Sequence, residues 1–152
     1  MLEPHDVEVV AVTRSGRDGT LPFDRLDEVW SDADHFVIAA PATGATRRLV
    51  GAPELAAMRP HAWIVNIARG SLIDTDALVQ ALASGIIGGA ALDVTDPEPL
   101  PPDHPLLDAP NLIVLPHLGS ATHATRERMA DLAVNNLLAG LAGEPLPDEF
   151  PG

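Results

Sequence analysis

The chain has 152 residues and a formal net charge of −13, with 22 acidic residues against 9 lysines and arginines. This length indicates about one domain, and a hydrophobic content of 46% is enough for a buried core. The acidic balance argues against nucleic acid or an anionic membrane as the partner, because both need a basic face. The absence of cysteine excludes disulfides, thiolate metal sites and a cysteine nucleophile. With no leader-like N-terminus and no apolar run of membrane-spanning length, the sequence predicts a cytoplasmic protein.

Short apolar runs alternate with helical patterns along the chain. The runs predicted to be strands are Val7–Val12, Phe36–Ala40, Trp63–Ile67, Gly88–Val94 and Leu112–Leu115. Helices are predicted after Phe23 and ending near Asp34, from Pro53 to before Pro60, from a cap at Asp74 or Thr75 to Gly85, and after a cap at Ser120 or Thr122. This alternation predicts an α/β fold with a doubly wound parallel sheet.

The last predicted helix is long, and its apolar residues are expected on an inner face: Met129, Leu132, Ala133, Leu137, Leu138 and Leu141. The chain beyond it is rich in proline and is expected to be extended. The predicted division is a partial dinucleotide-binding domain over residues 1–143 and a C-terminal tail over residues 144–152.

Polar side chains follow three of the predicted strands where each strand ends. Arg69 follows the third strand, Asp93 and Glu98 follow the run ending in Leu92, and His117 follows the last strand. Parallel strands bring their carboxyl ends to one edge of the sheet, where ligands bind in such folds. A guanidinium, two carboxylates and an imidazole at one edge are suited to proton transfer on an anionic substrate.

Five stretches in this order resemble the D-isomer-specific 2-hydroxyacid dehydrogenases: Asn66–Gly70, Ala91–Val94, Asp96–Leu100, His104–Leu107 and Leu115–Ser120. Three further stretches are most similar to the glyoxylate/hydroxypyruvate reductases of that family: Asp93–Thr95, Ser120–His123 and Asn135–Gly140. The resemblance extends from about Val7 to about Glu149. It implies hydride transfer between a nicotinamide cofactor and a small 2-oxo or 2-hydroxy acid.

The resemblance also implies a role for each polar residue of the edge. His117 would be the general acid for ketone reduction, Glu98 would favour the protonated imidazole, and Arg69 would bind the substrate carboxylate. Each residue also has an ordinary structural interpretation. The histidine could be a strand-end residue bonded to backbone, the glutamate a solvated loop acid, and the arginine a surface residue.

The same resemblance assigns a set of cofactor-binding residues. Asp93 would lie by the nicotinamide, although it could simply cap the next turn, and Pro41, Ile67 and Gly119 would line the cofactor groove. Arg14, Ser15 and Arg17 follow the strand where an acid would bind the ribose hydroxyl of NAD. Arginine there accommodates the 2′-phosphate, so NADP is favoured over NAD unless this is only an exposed basic turn. No spacing of ligand residues predicts a metal site.

The chain departs from the family at its start. Family members open the nucleotide-binding domain with a strand and a Gly-x-Gly-x-x-Gly turn, which holds the cofactor pyrophosphate at a helix N-terminus. Here the first strand resembles the family's second, and the glycine cluster Gly85–Gly89 follows a helix, the reverse of a phosphate loop. The sequence therefore predicts an incomplete Rossmann-like sheet that lacks the first strand and the Gly-rich turn.

The missing strand would lie between the two halves of a doubly wound sheet, so the family's second and third strands would not pair with the fourth. Either a companion chain or segment supplies it, or the sheet rearranges, or the chain is a fragment.

Three functions follow from this: an oxidoreductase active as part of a complete enzyme, an assembly module that does not bind cofactor alone, or a nucleotide-sensing regulator. The intact set Arg69, Glu98 and His117 argues against the regulator. Expected partners are the 2-oxo acid substrate and either a second copy or a companion chain.

Overall fold

The computed structural model describes residues 7–149, which divide into two compact units, residues 7–116 and residues 117–149. The first unit contains all of the strands named below and the hydrophobic core, and the second contains one long helix. The predicted boundary between residues 143 and 144 stays a prediction. Its outer ends, residues 1–6 and 150–152, lie outside the described residues.

The strands of the first unit form two parallel sheets. The smaller sheet pairs β1 (Val12–Thr13) with β2 (Leu21–Pro22). The larger sheet has the order β3-β4-β5-β6, with β3 at His35–Ile38, β4 at Trp63–Asn66, β5 at Gly89–Leu92 and β6 at Leu112–Val114. Four parallel strands in sequential order, each reached through a connecting segment, confirm the predicted Rossmann-like α/β class.

The first predicted strand, Val7–Val12, is wrong in extent. Only Val12 and the following Thr13 are in a strand, and Val7, Val9 and Val10 are exposed. A strand needs a hydrogen-bonding neighbour, and the neighbour of β1 is the two-residue β2 and not the larger sheet. The expectation that the first two predicted strands would not pair with the third holds for β1 and is wrong for Phe36–Ala40, because β3 pairs with β4. The neighbour of β1 is Leu21–Pro22, a strand that the sequence pattern did not predict.

Three α-helices follow strands of the first unit: α1 at Asp27–Trp30, α2 at Ala52–Ala57 and α3 at Thr75–Ala83. The predicted cap of α3 is confirmed at Asp74, whose carboxylate accepts a hydrogen bond from the Ala77 N–H at 3.3 Å. Gly85 follows the end of α3 with a φ of 66°, in the left-handed region that glycine adopts without cost. The chain can therefore turn at once toward β5.

The core of the first unit lies on one face of the larger sheet. Phe36, Ile64 and Ala90 are paired across β3, β4 and β5, and all three are buried together with apolar residues of the helices, among them Trp30, Leu55, Leu78 and Leu82. Burying each large apolar side chain contributes about 1.5–3 kcal/mol. The next row of the sheet, Val37, Val65, Ala91 and Ile113, points to the other face, since side chains alternate along a strand. Its outer members are 60% and 52% exposed.

The second unit contains α4 (His123–Ala142). Thr122 caps it, as one of the two predicted residues, by accepting a hydrogen bond from the Thr125 N–H at 3.2 Å. The expectation that its apolar residues form a buried inner face is wrong: no residue of α4 is buried. The apolar stripe is present in the sequence, but the described residues do not cover it. No helix in residues 7–149 has both the length and the apolar character of a membrane span.

An exposed ionic cluster lies where β3 and β4 begin, away from the strand ends that carry the predicted site. Asp34 accepts a hydrogen bond from Arg59 at 2.9 Å, and its carboxylate lies 2.7 Å from Nε2 of His61. These contacts, with His61 first and Arg59 second, lower the pKa of Asp34 below its usual 3.8. The cluster joins the start of β3 to the start of β4.

The lowered pKa of Asp34 predicts a pH-dependent contribution to stability. Because the folded chain holds the carboxylate ionised more strongly than the unfolded chain does, the contribution is present above pH 3.8 and is lost as the pH falls through the lower folded pKa. We expect Asp34→Asn to lower the free energy of unfolding at neutral pH, with the difference closing in acid. Urea unfolding across pH measures this, with Asp103→Asn, an exposed loop substitution, as the control. If the difference in the free energy of unfolding between Asp34→Asn and the parent chain stayed constant as the pH fell, the prediction would be contradicted.

Candidate active site

A groove opens at the carboxyl ends of β3 and β4. It has a volume of about 480 Å³ and is lined from the first strand by Ala39, Ala40, Pro41 and Ala42, and from the second by Ile67, Ala68 and Arg69. The pairing of β3 with β4 ends at Ile38 and Asn66, and the Ile67 N–H donates the last hydrogen bond to the Ile38 carbonyl at 3.3 Å. The groove thus places two residues predicted to bind the cofactor, Pro41 and Ile67, beside the predicted carboxylate ligand Arg69.

The wall of this groove suits a flat apolar ring next to an anion. Four of the seven lining residues are alanines, whose small side chains allow a ligand to approach the backbone closely. The Ile67 side chain is exposed and offers an apolar surface. Pockets for small organic ligands are mostly apolar with a few placed polar groups, and their volumes are about 300–1,000 Å³. The groove falls within that range.

Arg69 lines the groove and has an extended backbone conformation, with φ −149° and ψ 142°. Its side chain is exposed, and Nη1 donates a hydrogen bond to the Ala68 carbonyl at 2.7 Å. That bond uses one of the five N–H groups of a guanidinium. A short 3-10 turn, Gly70–Leu72, follows at once and leads toward α3.

Asn66 and Gly70, for which the motifs predicted no role, stabilise the turn at Arg69. Asn66, the last residue of β4, has 0% of its surface exposed, and its carboxamide bonds the backbone of Ala68 and Arg69. Gly70 touches the backbone of Thr95 and Asp96, where any Cβ would overlap. The available signal was the alternation of β4, which points Asn66 to the same side as the buried Ile64.

Asp93 and Glu98 lie after β5, in the same unit as Arg69. Asp93 is 8% exposed, and its N–H donates to the Asn66 carbonyl at 2.9 Å, which continues the β4–β5 pairing by one residue. Glu98 is exposed in the loop that follows, where Oγ1 of Thr95 donates to the Pro97 carbonyl at 2.9 Å. The structure thus places both predicted carboxylates beyond the carboxyl end of a central strand.

His117 and Gly119 begin the second unit. His117 is exposed and has a φ of 56°, in the left-handed region that few residues other than glycine adopt. Such conformations are uncommon and concentrate at functional sites. Gly119 follows in a turn in which the Ala121 N–H donates to the Leu118 carbonyl at 2.9 Å, just ahead of the cap of α4.

The residues predicted to choose between NADP and NAD lie in the turn that joins β1 to β2. Arg14, Ser15 and Arg17 are all exposed there. The turn is closed by a hydrogen bond of 2.7 Å between the hydroxyls of Thr13 and Thr20. Two guanidiniums and a hydroxyl are thus held on a tight, ordered turn that ends the smaller sheet.

Within residues 7–149, no group of three or more histidines, aspartates or glutamates is arranged to hold a metal ion. Besides Asp34, a shifted pKa occurs at Glu28, where the hydrogen bond from Arg25 lowers it, and at Arg25, where the same bond raises it. This pair lies on the surface before and within α1 and does not contribute to the groove.

A parallel sheet in sequential order, with a groove and an arginine at its carboxyl edge, defines a Rossmann-like dinucleotide-binding domain. Comparison with protein families then identifies the family to which this domain belongs. The chain belongs to the D-isomer specific 2-hydroxyacid dehydrogenases, because the model of that family's NAD binding domain matches residues 1–119. The resemblance inferred from the sequence motifs is confirmed.

Individual relatives agree with this assignment. The chain is 52% identical over 128 residues to the human glyoxylate reductase/hydroxypyruvate reductase, covering 84% of this chain and 39% of that protein. It is 44% identical over 154 residues to an uncharacterized protein of Corynebacterium melassecola, covering 98% of this chain and 51% of that one. The chain therefore spans about half, or less, of the length of these relatives.

A solved structure gives the same fold. The NADPH-dependent glyoxylate/hydroxypyruvate reductase of Sinorhizobium meliloti, in complex with NADP and malonate, superposes with a TM-score of 0.84 and 39% identity. The match covers 91% of this chain and 44% of that enzyme. The fold described above therefore matches less than half of the Sinorhizobium enzyme.

Proposed function

We propose that this chain binds NADP(H) at the carboxyl edge of its larger sheet and uses Arg69 to bind the carboxylate of a small 2-oxo acid. The observation that carries the proposal is the groove of about 480 Å³, because small apolar residues and an arginine line the same space. A nicotinamide ring needs an apolar surface, and an α-keto carboxylate needs a guanidinium. The similarity to the human and Sinorhizobium glyoxylate/hydroxypyruvate reductases supports glyoxylate and hydroxypyruvate as the substrates.

The chemistry proposed is carbonyl reduction. The bound nicotinamide supplies a hydride to the carbonyl carbon, and a proton must reach the carbonyl oxygen for the alcohol to form. Arg69 would hold the substrate carboxylate through a paired N–H fork, which fixes the direction in which the carbonyl points. His117 as the proton donor and Glu98 as the carboxylate that favours its protonated form stay predictions from the sequence.

The hydride-transfer function is tested by following the consumption of NADPH by the 152-residue chain after adding glyoxylate, hydroxypyruvate or lactate. Consumption with the first two compounds and none with lactate, which is already reduced, is the expected result. Binding of NADPH without consumption would contradict hydride transfer by this chain. It would favour a cofactor-binding module that acts only within a longer enzyme.

The cofactor preference leads to a prediction for the β1–β2 turn. Removing both cations, as Arg14→Gln with Arg17→Gln, should weaken NADPH binding and leave NADH binding nearly unchanged, because only NADPH carries a 2′-phosphate. Hydrogen bonds to charged groups contribute about 1.5–3 kcal/mol, so the loss should be about tenfold or more. Fluorescence titration with each cofactor measures it.

The control for that experiment is Arg128→Gln, which removes one exposed cation from α4 and should change neither affinity. Equal weakening of NADPH and NADH by the turn variant would show that the two arginines act on the shared part of the cofactor. That result would contradict their role in choosing NADP.

A second candidate function, a non-catalytic assembly module, is favoured by the sheet face that the first unit leaves exposed. Val37 and Ile113 are 60% and 52% exposed at the two ends of one row of the larger sheet. A second copy or a companion chain would bury them. Light scattering of the purified chain, with and without NADPH, distinguishes the two functions: the module self-associates without binding cofactor, and the dehydrogenase binds cofactor.

A further inference from the structure

Asn66 is a polar side chain in the core of the first unit, at the point where β4 ends. It is fully buried, and both ends of its carboxamide are used: Nδ2 donates to the Arg69 carbonyl at 2.9 Å, and Oδ1 accepts from the Ala68 N–H at 3.0 Å. Its own carbonyl accepts from the Asp93 N–H at 2.9 Å. One side chain therefore fixes the backbone on both sides of the peptide that joins Ala68 to Arg69.

The same turn is pressed against the loop that leads to Glu98. A Cβ on Gly70 would lie 2.0 Å from the Thr95 carbonyl carbon and 2.5 Å from the Asp96 nitrogen. On the other side of this contact, Oγ1 of Thr75 donates to the Asp96 carbonyl at 2.9 Å. The Arg69 turn and the start of the 95–98 loop are thus in contact through backbone atoms, which cannot move apart by the rotation of a side chain.

Core packing alone does not explain an asparagine at this position. A buried amide is costly unless its donor and acceptor are both bonded, and an apolar residue would fill the space without that cost. The apolar residue would, however, leave the Ala68 N–H and the Arg69 carbonyl without their partner. Only a side chain with one donor and one acceptor at this length satisfies both groups.

We propose that Asn66 is a positioning residue that sets the direction in which Arg69 presents its guanidinium to the groove. The inference rests on the proposed function, in which Arg69 binds the substrate carboxylate. Asn66 does not touch the ligand itself. It acts through the Ala68–Arg69 backbone, and the contact of Gly70 with Thr95 keeps that turn in register with the loop that carries Glu98.

The test is a double-mutant cycle between Asn66→Asp and Arg69→Ala in the whole chain, read as the affinity for oxalate in the presence of NADPH. Oxalate has the carboxylate of a 2-oxo acid and no carbonyl that can be reduced. The aspartate keeps the volume and the acceptor but loses the donor to the Arg69 carbonyl. We expect Asn66→Asp to weaken oxalate binding about tenfold alone and to have no further effect once Arg69 is alanine.

Several controls separate positioning from general damage. NADPH affinity should be unchanged in Asn66→Asp, and Asn111→Asp, the same chemical change before β6, should leave oxalate binding intact. If the aspartate variant does not fold, Asn66→Ser, whose hydroxyl is too short to reach both partners, should show the same dependence on Arg69.

The outcomes distinguish this inference from the function on which it rests. If Arg69→Ala binds oxalate as tightly as the parent chain, or the parent does not bind it, the proposed function fails and the inference with it. If Arg69→Ala weakens binding but Asn66→Asp does not, only the positioning role is overturned. An equal effect of Asn66→Asp in the presence and absence of the arginine would also overturn it.

Discussion

Replacing Gly70 by alanine is expected to lower the free energy of unfolding by about 3 kcal/mol, near the upper end for an overpacked site. The added Cβ would lie 2.0 Å from the Thr95 carbonyl carbon and 2.1 Å from its oxygen. Both are backbone atoms of a loop that the Thr75 hydroxyl holds from the other side. Because neither side can yield by rotating a side chain, the overlap must be relieved by moving the Arg69 turn or the 95–98 loop. Equilibrium urea unfolding measures the loss.

Gly44→Ala is the matched control for this prediction. No atom lies within 4 Å of a Cβ built on Gly44, and its φ is not in the left-handed region. The same added methyl group should therefore change the free energy of unfolding little there. If Gly70→Ala were as stable as Gly44→Ala, the close contact between the two segments would not exist as described.

Replacing Arg69 by lysine is expected to weaken oxalate binding to the NADPH-loaded chain by about tenfold or more. Lysine keeps the charge but lacks the planar fork that pairs two N–H groups with two carboxylate oxygens. The loss of one charge-assisted hydrogen bond, about 1.5–3 kcal/mol, corresponds to that change in affinity. Calorimetric titration with oxalate gives the result directly, and NADPH affinity should not change.

Arg47→Lys serves as the control for this experiment, since Arg47 is also exposed and belongs to the loop beyond Ala42. Its replacement should leave oxalate binding unaffected. If Arg69→Lys bound oxalate like the parent while Arg69→Ala did not, the site would need only a positive charge. The paired-fork geometry would then be wrong.

Much of the fold could be predicted because its determinants are local. The runs that became β3, β4, β5 and β6 are four to seven residues long and mostly apolar in the sequence. Caps were equally readable: Asp74, Gly85 and Thr122 have the side chains or the backbone freedom that a helix end requires. The family follows from the motifs between these elements, whereas the pairing of β3 with β4 was not predicted.

Other features depend on distant contacts and could not be read from local patterns. Val7–Val12 has the composition of a strand, but a strand forms only where a neighbour pairs with it, and here most of that run has none in the two sheets described. The apolar face of α4 was equally clear in the sequence, yet burial requires a surface to cover it. An apolar pattern shows what can be buried and does not show what buries it.

The resemblance of the motifs gave Arg69, Glu98, Asp93 and His117 as candidate site residues, and their roles stay predictions. The contacts of Asn66 and Gly70, in contrast, join segments that are distant in the chain. Gly70 and Thr95 are 25 positions apart in the sequence, so no local pattern predicts their contact. The asparagine has a weak signal, a polar residue on the inward side of a buried strand, which becomes meaningful only when its two backbone partners are known.

Calorimetric titration of the 152-residue chain with NADPH and then with NADH tests whether the carboxyl edge of the sheet binds a nicotinamide cofactor. We expect saturable binding of NADPH that is tighter than that of NADH. The preference should depend on Arg14 and Arg17. If the chain unfolds cooperatively, and is therefore folded, but binds neither cofactor, the carboxyl edge of its sheet does not form a nicotinamide site.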